Sequence, residues 1–394
     1  MKSIDNGKFV VRKLKHNGFK AFFVGGCVRD YLLKEEVNDI DITTDATPNE
    51  VMRLFNKAVP TGLKYGTVTV VHEHNKIEVT TFRLDGNYSD FRRPDEVELT
   101  NLETIDVKRR DFTVNGLLMD ENYKVYDYVG GMEDLNNKVI RAIGNPNERF
   151  NEDALRMLRA IYFESKLGFE IEKETLEAIK ENASKIKLLP NERVMTEMQK
   201  ALTGKHQNEA IKSLYRSDLY KYLPGLEKGI EFIYKNINQN ISVEVFYSLC
   251  FYLNGKVDTK WKFSNIDKNK YQKVLELLEK GKEFNYFTLY DYGIEINVLA
   301  NLVLYYLGET DNKIKDIRYK FETMPLRSLT DLKVRGNDIL KLTDKKRGAW
   351  LNKILNELAF KVLNGELKND KKSLLKYCEE YLNEEWFLFI FRWF

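Results

Sequence analysis

The chain has 394 residues, 43% hydrophobic and 31% charged, and its 63 basic and 60 acidic side chains leave a net charge of +3. That composition fits a globular protein of roughly two to four domains and excludes a membrane span, because no apolar run approaches the ~20 residues one needs. A near-neutral balance does not announce a nucleic-acid binder, so any RNA contact must come from local basic patches. Three scattered cysteines, Cys27, Cys250 and Cys378, argue against a disulfide framework and for a reducing cytoplasm. The opening stretch lacks the apolar segment of a signal peptide.

Along the chain, the first ~140 residues alternate short β-rich runs (KAFFVGG, DIDITTD, GTVTVVHE, KIEVTTFR, LLMDENYKVYDY) with turns and short helical stretches. His72 and His74 fall in this part and are expected to face solvent near a hairpin turn. From about Asn147 helical spacing takes over. Leu155, Leu158, Ile161 and Tyr162 predict an amphipathic helix. Leu351, Ile354, Leu355, Leu358 and Val362 predict another near the end. Seven prolines in the whole chain are consistent with long helices. The expected fold class is α+β, an N-terminal mixed sheet with helices followed by an all-α remainder.

The sharpest local signal is FFVGGCVRDYLLKEEVNDIDITTDA. Phe22, Phe23 and Val24 read as a buried strand, and Gly25 and Gly26 allow close approach of a ligand to the backbone. A helix follows whose first amides, together with Arg29, suit a triphosphate. In the strand Asp39-Ile40-Asp41-Ile42 the period of two puts both carboxylates on one face and both isoleucines in the core. Two carboxylates beside a triphosphate form a hard-oxygen site for Mg²⁺, which can serve in-line nucleotidyl transfer. A lone Asp-x-Asp is usually a pair of solvated acids; strand, Gly-Gly, helix and then this strand is more specific. The arrangement resembles the nucleotidyltransferase superfamily that includes DNA polymerase β, and Glu78 has the pattern of the third carboxylate that superfamily often takes from a later strand.

Further motifs follow in order: TTFRLDGNYSDFRRPDEVEL, KRRDFTVNGLLMD, YDYVGGMEDLNNKVIRAIGNP, RFNEDALRMLRAIYFESKLGF and LPNERVMTEMQKALTG, with VRGNDILKL and GAWLNKILNELAFKVLNGEL more weakly in the tail. Together they resemble the class II CCA-adding enzymes, the bacterial and eukaryotic tRNA nucleotidyltransferases, whose head bacterial poly(A) polymerases share. The resemblance implies a polymerase-β-like catalytic head over residues 1–143, a helical neck that recognises the base over 144–205, a body over 206–310 and a tRNA-binding tail over 311–394. It implies template-independent addition of CCA to the 3′ end of tRNA from CTP and ATP, with A-only addition or poly(A) synthesis as the alternative and a non-catalytic RNA-binding module as a remote one. It places Gly26, Arg29 and Arg110 at the nucleotide, Asp39 and Asp41 at catalysis and on Mg²⁺, and Asp153, Arg156 and Arg159 at the base-reading element.

Asp153 and Arg156 are three apart and are expected to share a helix face. There Asp153 would accept from the exocyclic amino group of cytosine or adenine while Arg156 donates to the ring nitrogen. Uracil and guanine would leave the carboxylate unpaired. Outside this motif set the pair would read as an ordinary surface salt bridge. Three departures from the family pattern stand out: Tyr162 where an arginine is usual, Gly116 where alanine is, and Lys34 where glycine is. The segment Asp85 to Leu99 resembles the flexible loop of enzymes that add the terminal A.

In the helical remainder, Lys185 with Lys187, Lys345-Lys346-Arg347 and Lys371-Lys372 are candidate tRNA contacts. The aromatic stretch from Trp386 to Phe394 reads as packing on the helical body or as a homodimer contact. No His-Asp phosphohydrolase signature follows the neck, so no associated phosphatase activity is expected. The expected location is the cytoplasm, with no membrane contact.

Overall fold

The computed structural model describes residues 2–86 and 96–390, with side chains described for 4–86 and 96–383. Asp90, Arg92, Arg93 and Pro94 of the expected loop, and the side chains from Trp386 to Phe394, lie outside the described residues. The chain divides into two compact units. One comprises Met1–Val243 with Asp258–Lys262; the other comprises Glu244–Val257 with Phe263–Phe394.

The first unit opens with helix α1 (Lys2–His16), then β1 (Ala21–Val24), α2 (Gly26–Leu32), β2 (Ile40–Thr44), α3 (Pro48–Leu54), β3 (Ala58–Gly62), β4 (Thr67–His72) and β5 (Asn75–Thr81). After the β6 (Arg83–Asp85) and β7 (Val97–Leu99) ribbon come α4 (Glu103–Lys108), β8 (Leu118–Met119), β9 (Val125–Tyr126), α5 (Gly131–Asn137) and β10 (Val139–Ile140). Seven strands form one mixed sheet in the order β3-β4-β5-β2-β1-β8-β9, with β2 and β5 parallel. The strand pattern works as its period dictates. Ile40 and Ile42 are buried with Phe23 on the face covered by α1, whose Gly7 sits so close that a Cβ there would meet the Phe23 ring at 2.4 Å. The opposite face carries Phe22, Val24 and Asp41, and its apolar members pack with Phe82, Val107 and Leu118.

Gly116 and Lys34 now have physical readings. A side chain at 116 would put its Cβ 2.8 Å from Val129 Cγ2. Lys34 has φ of 59°, a left-handed conformation that glycine adopts at no cost and a lysine does not. The β4–β5 turn uses left-handed Glu73 and His74, as a two-residue hairpin requires. His74 faces solvent, but His72 is half-buried and stacks on Phe9 with ring centres 4.2 Å apart.

Helices α6 (Pro146–Glu152), α7 (Leu155–Leu167), α8 (Lys173–Asn182), α9 (Asn191–Leu202), α10 (Gln207–Arg216) and α11 (Glu227–Asn236), with the short strand β11 (Glu170–Ile171) paired to β10, complete the first unit. Prolines start α3 and α6 at the position where a missing N–H costs nothing.

The second unit is all-helical: α12 (Val243–Asn254), α13 (Asn265–Lys280), α14 (Tyr286–Tyr306), α15 (Ile314–Thr323), α16 (Gly336–Leu340), α17 (Ala349–Leu363) and α18 (Lys371–Ile390). Its core includes Tyr247, Phe251 and Tyr271 in mutual ring contact. The apolar stripe expected near the chain end holds in α17, where Leu351, Ile354, Leu358 and Val362 are buried. All three cysteines are free and buried. Among the described residues no helix is long and apolar enough to cross a membrane.

Candidate functional site

A cavity of about 690 Å³ in the first unit is lined by residues from segments far apart in sequence. Gly25, Gly26 and Arg29 come from the β1–α2 corner, Asp41 from β2, Arg109 to Asp111 from the end of α4, and Asp153, Arg156 and Arg159 from the α6–α7 break and α7. Of the residues expected to act together, Gly26, Arg29, Asp41, Arg110, Asp153, Arg156 and Arg159 share this one space. Asp39 does not line it; it precedes the first residue of β2 and is exposed.

Gly25 has φ of 75°, and a Cβ there would lie 3.6 Å from Arg110 Nη1 and 3.8 Å from Asp41 Oδ2. The corner therefore needs glycine for its conformation, and a Cβ there would sit in ordinary contact with the two charged groups. Burial pushes the Asp41 carboxyl up to about 6; Arg110 works against that rise, while Glu78 and Asp39 add to it. Glu78 stands directly across from Asp41 in the parallel β2–β5 register. The three acids do not converge into a metal-binding trio: among the described residues no group of three or more His, Cys, Asp or Glu side chains can hold a metal ion. Of the three acids only Asp41 lines the cavity, and Asp39 and Glu78 add negative charge at its carboxyl that a divalent cation would offset. The remaining ligand positions are left for phosphate and water. The donor chemistry fits.

The arginines are held by acids the sequence reading did not single out. Asp106 on α4 is 0% exposed. It accepts from Arg109 Nε and Nη2 at 2.9 and 2.6 Å, from Arg110 Nη2 at 3.0 Å and from Thr43 Oγ1 at 3.1 Å. Burial alone would raise this carboxyl, yet Arg110 and Arg109 hold it down at about 2. Asp111 accepts from Arg159 Nε and Nη2 at 2.8 and 2.6 Å and from Asn115 Nδ2 at 3.1 Å. Its burial is outweighed by Arg159, and the carboxyl falls below the usual range. Arg29 is nearly fully buried, donating to Asp30 Oδ1 at 2.8 Å and to Asn115 Oδ1 at 2.5 Å. The sequence carried a usable signal for Asp106, three and four residues before Arg109 and Arg110 in a helical stretch.

The base-reading pair requires a correction. Asp153 is not on the helix of Arg156. It ends α6 with φ −137° and ψ 100°, and α7 begins two residues later. Its Oδ1 accepts from Leu155 N at 2.9 Å. Burial raises its carboxyl against the opposing pull of that amide and of Arg156. Arg156 donates instead to Glu152 Oε2 at 2.7 Å and to the carbonyls of Arg149 at 3.2 Å and Arg109 at 3.0 Å. The ordinary i,i+3 salt bridge is therefore not what forms. The break leaves the Asp153 carboxyl and the Arg156 guanidinium lining the same cavity, near enough for the arginine to favour the ionised acid. Tyr162, the family departure, also lines the cavity, as do Phe163 and Lys200.

The family described as the Poly A polymerase head domain matches residues 21–141. The RNA and SrmB- binding site of polymerase A matches 168–230, and tRNA nucleotidyltransferase domain 2 matches 245–378. The CCA-adding enzyme of Staphylococcus epidermidis is 35% identical over 394 residues, covering 96% of this chain and 98% of the relative. That of Ligilactobacillus salivarius is 36% identical over 392 residues, covering 95% and 96%. The crystal structure of Bacillus stearothermophilus CCA-adding enzyme in complex with CTP superposes with a TM-score of 0.82 at 31% identity, covering 97% of this chain and 98% of that one. The Thermotoga maritima CCA-adding enzyme complexed with tRNA shares the fold, with a TM-score of 0.70 at 20% identity over 97% and 96% of the two chains.

Proposed function

This chain belongs to the family of CCA-adding enzymes, and from that membership we propose how its cavity works. It is a tRNA nucleotidyltransferase that adds cytidine, cytidine and adenosine to the 3′ end of tRNA from CTP and ATP, releasing pyrophosphate. The observation that carries the assignment of roles is the cavity itself, which joins a glycine corner, a half-buried aspartate and the proposed base-reading pair, drawn from separate segments.

In this reading the triphosphate lies against Gly25 and Gly26, where no side chain intervenes. Arg110, anchored by Asp106, faces it with a rigid donor fork. Arg29, committed to Asp30 and Asn115, fixes the floor beneath Gly26 and stands 3.5 Å from the place a Cβ would occupy. Asp153 accepts from the exocyclic amino group of cytosine or adenine and Arg156 donates to the adjoining ring acceptor. Uracil or guanine would leave the half-buried Asp153 carboxylate facing a carbonyl, a loss of roughly 1–3 kcal/mol.

The tRNA 3′-hydroxyl loses its proton to solvent as its oxygen bonds to the α-phosphorus, the bond from that phosphorus to the bridging oxygen breaks, and pyrophosphate leaves. Enzymes of this family use a divalent metal. We assign it as Mg²⁺, held by Asp41 with Asp39, and when bound it would supply charge for the attacking and leaving oxygens. tRNA is the macromolecular partner, and the cytoplasm, where tRNA is processed, is the fitting location. The segments 1–143, 144–205, 206–310 and 311–394 keep their proposed roles of catalysis, base recognition, body and tRNA-binding tail.

The test uses tRNA that ends before CCA. With CTP alone the chain adds two residues, and with ATP added it completes the third. Failure to add two cytidines overturns full CCA addition in favour of A-only activity. Asp41→Ala abolishes turnover while sparing tRNA binding; a wild-type chain that binds tRNA but shows no turnover would instead mark a non-catalytic RNA-binding module.

A further inference from the structure

Lys200 reaches the cavity from α9, a helix to which the sequence reading assigned no nucleotide contact. Its Nζ donates to Glu197 Oε1 at 2.9 Å and stands 5.6 Å from the centre of the Tyr162 ring. Glu197 is 5% exposed, and its Oε2 has no hydrogen-bond partner. A buried carboxylate thus orients an ammonium whose own side chain remains 45% exposed. An ammonium has three donors, so the bond to Glu197 leaves donors for a ligand. The ring of Tyr162 gives the charge a favourable face.

The neighbours of Tyr162 lead to the phosphate end of the cavity. Its ring centre is 5.0 Å from that of Phe163, and the Phe163 ring carries the guanidinium carbons of Arg29 at 5.1 Å and Arg159 at 5.3 Å. Arg29 in turn underlies Gly26. Tyr162 is six residues from Arg156, about 9 Å along α7, and its nearer arginine, Arg159, shares the Phe163 ring with Arg29.

We propose that Lys200, posted on Tyr162 by Glu197, is a nucleotide-binding residue that grips the pyrophosphate end of CTP and ATP without regard to the base. The proposal rests on reading this cavity as the nucleotide site. It makes a cation from a different helix part of the triphosphate grip, at the place where the Tyr162 side chain itself brings no charge.

The experiment is steady-state kinetics on the full chain with tRNA lacking CCA, varying CTP, ATP and tRNA separately. Lys200→Met is expected to raise KM for CTP and for ATP by the same factor, about five- to tenfold for one partly exposed charge-assisted contact. KM for tRNA should be unchanged, and pyrophosphate should weaken in parallel as a product inhibitor. Lys200→Arg restores most of the affinity, which separates lost charge from lost packing, and thermal melting of both variants checks that they fold. Nucleotide KM values within about twofold of wild type, or a rise confined to tRNA, would overturn the proposal. An unequal effect on CTP and ATP would move Lys200 to the base and overturn it equally. Failure of the cavity reading itself would appear elsewhere, as a wild-type chain unable to use CTP or as full turnover by Asp41→Asn.

Discussion

Two arginines facing the cavity share one buried carboxylate, and replacing Asp106 by asparagine removes the charge that holds them. A broken buried ion pair typically costs about 3–5 kcal/mol because the partner charge stays behind uncompensated. Asp106→Asn is therefore expected to lower the denaturant midpoint clearly and to reduce kcat/KM for both nucleotides, since Arg110 loses its anchor. A variant as stable as wild type would show that the arginines relax into water at little cost. At the base-reading pair the structure orders two substitutions. Asp153→Ala deletes the acceptor for the exocyclic amino group and should lower kcat/KM for CTP and ATP by about a hundredfold. Glu152→Gln removes the negative charge beside Arg156 while the carbonyls of Arg149 and Arg109 go on accepting from it, and it should cost about three- to tenfold. If the order is reversed, orientation of Arg156 and not recognition by Asp153 governs base choice. Asp41, Arg110, Asp153 and Arg156 were legible in the sequence because their motifs carry chemistry in a fixed order. Asp111 was not, because it anchors Arg159 from 48 residues away, while Asp106 and Glu152 carried only a helical offset to their arginines, which exposed surface pairs share.

Helix α7 carries Glu164 as well as Arg156 and Arg159, the arginines proposed to read the base. Glu164 is 6% exposed, its Oε2 has no hydrogen-bond partner, and burial pushes its carboxyl up to about 8. A carboxyl that titrates higher folded than unfolded keeps its proton in the native state while the unfolded chain loses it. Stability therefore falls as pH rises from about 4.5 to about 8 and levels off above, once both states are ionised. Glu164→Gln keeps the shape and removes the charge. It should flatten that slope and raise the melting temperature at pH 8 while changing little at pH 5, by a few kcal/mol at most. Equal pH profiles of wild type and variant would show that Glu164 titrates normally. The helix itself was readable from its apolar spacing, but its start was not. The continuous period through EDALRM hid the break at Asp153, since Asp153 bonds its own neighbour's amide, a local competition with helix that spacing does not record. Strand β3 escaped notice for a similar reason: Ala58–Gly62 carries no alternation and is mostly exposed. The kink at Gly293, φ 75°, inside α14 has no proline beside it to signal a break.

At the scale of the whole molecule the charge is distributed unevenly. Six arginines and one lysine line the cavity against four aspartates, on a chain whose net charge is +3. The rest of the surface is therefore close to balanced, and tRNA must be held by a limited number of phosphate contacts. Lys346 and Arg347 in the second unit are exposed, whereas Lys371 is engaged with Asp338 at 2.8 Å and Lys187 lies over the Tyr222 ring at 4.8 Å. Of the clusters read from the sequence, 345–347 is thus the one most available to RNA. Each phosphate neutralised contributes a slope of roughly 0.7–0.9 to the dependence of log affinity on log salt. Reversing Lys346 and Arg347 to glutamate should lower the slope for tRNA binding by about one and a half and weaken binding most at low salt. KM for CTP should stay the same, because every residue lining the nucleotide cavity belongs to the first unit. An unchanged tRNA slope would remove this cluster from the RNA surface. A change in CTP affinity instead would mean that charge in the second unit reaches the cavity, and the division of labour between a nucleotide-reading unit and an RNA-holding one would fail.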